Sequence, residues 1–316
     1  MERSARARHG ALGVVIAVVL AVLTGACSGG SSPGPSEPSG ESSGAGPLLA
    51  VKIDNAPQAR PQTGLNAADV VYAEQVEAGL SRLMALYATK LPDSVGPVRS
   101  ARESDLELLA QFQDPTLVFS GAQSKLLPLI DAAPLRPVTP GDAPSGAFVR
   151  DPERTAPHNL YVRPPRVQDG TAGAKALERA GLRGGPAPDG GERVAERTVR
   201  FPSSRFTFTW SADQGRWLIS MDGRQATEPD GTALTAATVI VQRVEIKESQ
   251  FQDFMGNNSP LTVTVGSGSA EVLRDGRAHA GEWQRPSERD TTTFTTPDGD
   301  PLNVASGPVW VMLVAR

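Results

Sequence analysis

The sequence predicts an α/β N-terminal block followed by a mostly antiparallel β block. Three observations carry this. Buried-strand patterns alternate with helical ones over residues 48–182. From about Val199 onward, apolar and polar residues alternate with period two. The dipeptides Asp222-Gly223, Asp230-Gly231, Asp275-Gly276 and Asp298-Gly299 punctuate that second region as hairpin turns.

Taken in order, residues 1–26 read as a secretory signal peptide. Arg3, Arg6 and Arg8 form a basic start, and Ala11–Leu23 is a 13-residue apolar run without charge. A membrane-spanning helix needs about 20 such residues, so the run is that of a leader. Leu23-Thr24-Gly25-Ala26-Cys27 resembles a bacterial lipobox, with small Ala26 ahead of the only cysteine of the chain. Cys27 is therefore the expected lipidation site, and the lipid bilayer the expected partner, on the extracytoplasmic face of the cell membrane. Durable anchoring requires two or more acyl chains, because one alone holds only marginally. Residues 27–47 form the lipidated Cys and a flexible tether: 17 of the 20 residues from Ser28 to Pro47 are Ser, Gly or Pro. Such a segment buries too little apolar area to fold, and as a coil reaches on the order of 25 Å.

The N-terminal block spans 48–182. Leu48–Ile53 and Ala68–Ala73 read as strands, and Leu80–Thr89 as strand or helix. Ser100-Ala101-Arg102-Glu103 has capping-box spacing and opens a helix ending near Phe112, with Leu106, Leu109 and Ala110 on one face. Pro115–Phe119 is a further strand, and Gln123–Asp131 and Ala172–Ala180 are short helices. Residues 183–198 have the composition of a connector. The C-terminal β-rich block, 199–316, contains all four tryptophans, Trp210, Trp217, Trp283 and Trp310. Their places inside strand patterns mark them as core residues rather than sugar-stacking platforms.

Composition excludes several functions. A net charge of −4 argues against a nucleic-acid partner. One cysteine cannot make an internal disulfide or a thiolate zinc site. No G-x-S-x-G, H-E-x-x-H or P-loop motif occurs, so no metal or cofactor is expected.

The candidate ligand-binding residues are Asp54, Asn55, Arg60, Glu74, Glu77, Arg82, Arg99, Ser100, Arg102, His158 and Asn159. Most sit as charges within apolar strand patterns, where burial is costly unless they are paired. They form either internal ion pairs, such as Glu77 with Arg82, or the wall of a cleft at strand ends. Arg99 and Arg102, flanking the predicted cap, suit a carboxylate or phosphate. Asp54, Glu74 and His158 are the candidate catalytic acid and base.

Several segments carry a resemblance. Val51-Lys-Ile-Asp-Asn55, Ala59-Arg-Pro-Gln-Thr-Gly-Leu65, Val76-Glu-Ala-Gly-Leu-Ser-Arg82, Gly96-Pro-Val-Arg-Ser-Ala-Arg102 and Pro157-His-Asn-Leu-Tyr161 resemble the YerB-like bacterial lipoproteins. Gly281-Glu-Trp283 and Pro308-Val-Trp310 resemble the C-terminal domain of that family. The resemblance implies a two-domain, membrane-anchored, extracytoplasmic protein and no established activity. Three functions follow as expectations: a binder of an anionic cell-wall polymer or fragment, a cell-wall hydrolase using a carboxylate and His158, or a scaffold for another envelope protein.

Overall fold

Strands from both halves of the sequence hydrogen-bond into a single large sheet. The computed structural model describes residues 46–253 and 256–316. The predicted leader, Cys27 and nearly all of the tether lie outside the described residues. In chain order the first half contributes β1 (Leu49–Ile53), β2 (Val70–Gln75), β3 (Ser81–Tyr87), β4 (Thr116–Val118), β5 (Arg136–Val138), β6 (Phe148–Arg150) and β7 (Leu160–Val162). Its α-helices are α1 (Glu103–Leu109) and α2 (Leu127–Ala132). The second half contributes β8 (Glu192–Arg193), β9 (Glu196–Phe201), β10 (Ser204–Ser211), β11 (Arg216–Met221), β12 (Arg224–Gln225), β13 (Thr235–Ala236), β14 (Thr238–Gln252), β15 (Asn258–Val263), β16 (Gly266–Arg274), β17 (Arg277–Arg285), β18 (Thr293–Thr295) and β19 (Val309–Ala315).

The large sheet runs β18-β17-β16-β14-β19-β2-β3-β1-β4-β5, with β15 and β8 paired at its side. The last strand, β19, lies parallel to β2 with Val309 opposite Val70. Residues far apart in sequence therefore meet in the middle of the sheet. A second sheet, β12-β11-β10-β9, covers one face. Period-two alternation sorts side chains between the faces. Leu49, Val51 and Ile53 join Phe206, Phe208, Trp217 and Trp310 in the core between the sheets. Ala50 faces the other way, with Tyr72, Met84, Leu108, Leu109 and Trp283.

The second half is β throughout, as expected; the protein as a whole is mostly β, and the block expected to be α/β has seven strands and, among the described residues, two short α-helices. The 80–89 segment resolves to strand β3. Trp217, Trp283 and Trp310 are fully buried, in keeping with a core role. Asp222 and Asp275 take positive φ (54° and 53°) ahead of Gly223 and Gly276, as two-residue hairpin turns require. Part of the segment expected to be a connector is strand: β8 pairs with β17, and β9 begins at Glu196.

The helix expected from Ser100 begins instead at Glu103 and ends at Leu109. The chain is still extended at Arg102 (φ −128°, ψ 162°), so no helix can run through it from Ser100, and the preceding residues are bonded to other segments. Arg99 N–H donates to Lys52 O at 2.8 Å, and Ala101 N–H to Gly121 O at 3.0 Å. The capping carboxylate is that of Asp105, which accepts the Arg102 N–H at 2.7 Å. The buried residues of α1 are Ser104, Asp105, Leu108 and Leu109, with Leu106 only partly buried. The Ala172–Ala180 segment is a 3₁₀ helix over Ala174–Ala180.

Candidate functional site

Lys52, Glu74 and Arg82 lie on neighbouring strands of the α1-facing side of the sheet. Lys52 shares that face with Ala50, Glu74 with Tyr72, and Arg82 is the cross-strand partner of Glu74. The Lys52 ammonium, completely buried, donates to the Glu74 carboxylate and to Asp105 Oδ1 on α1, the latter at 2.6 Å. Glu74 Oε2 has no hydrogen-bond partner among the described residues. Burial pushes the Glu74 carboxyl up to about 7; Lys52 opposes this, while Asp105 adds to it. Two carboxylates thus share one ammonium in a buried site.

Three residues after Glu74, Glu77 forms a two-pronged pair with Arg102. Arg102 Nε donates to Glu77 Oε1 at 2.6 Å and Nη2 to Oε2 at 2.8 Å. Ser259, from β15, donates its hydroxyl to the same carboxylate. Burial raises the Glu77 carboxyl, but Arg102 and Ser259 outweigh it and hold it at about 2. The expected Glu77–Arg82 pair is replaced by this one, because the 3₁₀ turn at Glu77–Gly79 aims Glu77 toward the residue preceding α1.

Arg82 and Arg99 are differently placed. Arg82 is 7% exposed, and its one hydrogen bond among the described residues runs from Nη1 to Ser100 O at 3.2 Å. Burial, then the neighbouring Arg102 guanidinium, pulls Arg82 down to about 10. Arg99 Nε lies 3.1 Å from Asp54 Oδ2, an ion pair by distance, yet the angle is poor and Nε makes no hydrogen bond. Both guanidiniums line a cleft of about 660 Å³. Val76, Leu80 and Ala101 form its apolar floor, and Ser100, Glu77 and Arg102 also border it. The opposite wall comes from the β14–β15 hairpin through Phe251, Asn257 and Ser259. A larger groove of about 1240 Å³ runs along Asn66–Asp69 and the 304–309 segment, but it gathers none of the predicted site residues.

The other candidates form adjoining clusters. Asp54, at the end of β1, accepts from His158 Nδ1 across 2.8 Å, so Arg99, Asp54 and His158 form a line. Asn55 Oδ1 accepts from Arg60 Nε at 3.1 Å and Gln62 Nε2 at 2.8 Å, and Arg60 also binds Asp222 at 2.8 Å. These bonds pin the 54–62 loop to the second sheet. Asn159 accepts from Arg150 and donates to the carbonyls of Asp151 and Arg154, all within its own loop. Glu77, Arg82, Arg99, Ser100 and Arg102 therefore converge on the cleft; Asp54 and His158 abut it through Arg99; Glu74, Asn55, Arg60 and Asn159 serve other contacts.

Asp105 and the wall residues Phe251, Asn257 and Ser259 were not anticipated. Asp105 carried a usable signal, an acid three residues after Arg102 at a helix start. The β14–β15 wall carried none, since the hairpin approaches the cleft only through the large sheet. Among the described residues no group of three His, Cys, Asp or Glu is placed to hold a metal, and no helix is long and apolar enough to cross a membrane.

A mostly β protein, with a charged cleft walled by both halves of the chain, is the class these observations define. Residues 34–177 match the family model described as protein of unknown function (DUF3048) N-terminal domain, and residues 197–311 match its C-terminal domain. The chain belongs to this family, which includes the YerB-like lipoproteins. "Putative lipoprotein YerB" of Bacillus subtilis (strain 168) is 34% identical over 114 residues, 36% of this chain and 34% of that protein. The alignment thus spans about a third of that relative's length. The crystal structure of the YerB protein from Bacillus subtilis superposes with a TM-score of 0.69 at 20% identity, over 87% of this chain and 92% of that one. The likeness extends the shared fold across both halves.

Proposed function

We propose that this protein is a lipoprotein anchored through Cys27 on the extracytoplasmic face of the membrane, and that its cleft binds an anionic ligand of the cell envelope. The observation that carries the binding reading is the state of Arg82 and Arg99. A buried guanidinium normally spends its five donors on protein acceptors. Here Arg82 spends one and Arg99 Nε none, and both border the cleft. An incoming carboxylate or phosphate completes them. Arg102, committed to Glu77, shapes the site more than it binds. Titration with muropeptides and teichoic-acid fragments tests this: Arg99→Ala is expected to remove binding without lowering the thermal midpoint appreciably. Unchanged affinity in that variant dismisses the site. Anchoring is tested separately by palmitate labelling, which Cys27→Ser is expected to abolish.

The Asp54–His158 hydrogen bond favours a second reading, a cell-wall hydrolase. A carboxylate on Nδ1 orients an imidazole and steadies its charged form, leaving Nε2 as the acid–base atom. Glu74 has no part in it, being held by Lys52. Release of soluble fragments from cell walls, lost in His158→Ala, supports this reading; no release by the unaltered protein sinks it.

A further inference from the structure

We infer that a second cavity, beside β17 and apart from the arginine cleft, binds an organic cation that carries a primary ammonium group. The cavity measures about 570 Å³ and shares no lining residue with the cleft described above. One wall comes from the 186–191 segment, the other from the turn at 296–301, and His279 of β17 borders the space with them. The observation that points to a ligand is His279. Its side chain is 5% exposed, yet Nε2 has no hydrogen-bond partner among the described residues. Buried polar atoms are normally satisfied, so a partner from outside the chain completes this one.

The walls are held by bonds of their own. Arg277 Nη1 donates to the carbonyls of Gly190 and Gly191 at 3.2 and 2.8 Å, and Asn303 Nδ2 donates to Pro186 O at 3.4 Å. Thr296 N–H donates to Asp300 O at 2.8 Å and closes the facing turn. Gly191, at φ +77°, lies flush against the imidazole; a methyl group there would fall 2.6 Å from Cε1 and 2.9 Å from Nε2. A site built this way is largely formed before its ligand arrives.

The lining selects the ligand. Asp189, Asp298 and Asp300 border the cavity, and no Lys or Arg does. None of the three carboxylates has an ion-pair partner among the described residues. Pro186, Pro188, Pro297 and Pro301 also border it and have no backbone N–H to offer. The surface is therefore rich in acceptors and poor in donors, the complement of an ammonium group. The basic residues nearby do not reverse this. Arg274 is paired with Asp275 at 2.9 Å, β8 brings Glu192 as well as Arg193, and Arg277 stands alone against the three aspartates. A neutral imidazole accepts an N–H, which leaves the carboxylates to balance the charge. A metal ion fits poorly, because among the described residues no three His, Cys, Asp or Glu are placed to hold one. Carboxylates spread around a cavity suit an extended cation instead.

NMR of the full chain in non-ionic detergent at pH 7, with ¹⁵N-labelled histidine, tests the inference. The chain has three histidines, His9, His158 and His279, so the ring-nitrogen signals are few, and His279→Gln identifies the relevant one. Four probes are titrated: putrescine as an aliphatic amine, glucosamine as an amino sugar, 1,4-butanediol as a neutral counterpart of putrescine, and calcium chloride as a metal alone. Putrescine or glucosamine is expected to shift the His279 Nε2 signal saturably and to leave His158 in place, while butanediol shifts neither. The tighter of the two amines distinguishes an aliphatic from a sugar source. Asp298→Asn together with Asp300→Asn, both at exposed turn positions, is expected to weaken amine binding about tenfold; an unmoved His158 signal reports that this variant is folded. No saturable shift with either amine, an equal shift with butanediol, or unchanged affinity in the double variant overturns the inference. Calcium producing the same shift and displacing putrescine overturns it in favour of a metal site. Each of these results leaves the arginine cleft untouched.

Discussion

Arg102 holds Glu77 by two parallel hydrogen bonds, at 2.6 and 2.8 Å, in a pair closed from the other side by Ser259. The bond joins the turn after β2, the residue before α1, and a strand from the second half of the chain. It explains why, of two neighbouring arginines, Arg102 is held at both prongs while Arg99 Nε makes no hydrogen bond.

The first prediction separates them. Arg102→Ala strands a buried carboxylate and is expected to cost about 3 kcal/mol in urea unfolding at pH 7. Arg99→Ala, on a more exposed pair, is expected to cost about 1 kcal/mol or less. The pH dependence follows from the same contact. Glu77 titrates lower in the folded state, about 2, than its ordinary value of 4.5. The unfolded state therefore binds the proton first, so the stabilisation is complete above 4.5 and lost as pH falls through about 2. Arg102→Ala should remove that acid-side loss, visible as a flatter stability profile between pH 5 and 2.

Glu74 carries the opposite sign. Its folded value, about 7, is above 4.5, so between those pH values the native state binds more protons than the unfolded one. Its contribution to stability falls as pH rises through that window. Glu74→Gln cannot ionise, and is expected to gain on the order of 1–3 kcal/mol relative to the unaltered protein between pH 5 and pH 8. Urea midpoints of both proteins at pH 5, 6, 7 and 8 check this; parallel profiles contradict it.

Two glycines in hairpin turns provide a packing test. Gly276 has φ +71°, and a methyl group added there meets Trp210 Nε1 at 2.7 Å. Gly299 has φ +93° and open space around it. Gly276→Ala therefore combines backbone strain with a clash and is expected to cost about 2–3 kcal/mol, against about 1 kcal/mol for Gly299→Ala. Equal losses in thermal or urea unfolding count against the clash.

Much of this protein is local information. The run at 206–210 is a strand whose alternate side chains meet a core on one face, whereas 239–244 and 309–314 are strands that bury side chains in the cores on both faces of the large sheet. The Asp-Gly pairs are turns because their backbone conformations suit few other residues. The density of charge from Asp54 to Arg102 was likewise visible, and so was the choice it posed between ion pairs and a cleft. That choice depends on which carboxylate each guanidinium reaches, and reach is set by the sheet. β19 joins β2 across more than 230 residues of sequence, bringing the β14–β15 hairpin against the turn at Glu77. Only that long-range pairing commits Arg102 to Glu77, seals Glu74 under α1, and leaves Arg82 and Arg99 facing open space. A sequence lists charges in order; desolvation and distance, which decide whether each is a strut or a binding group, belong to the folded chain.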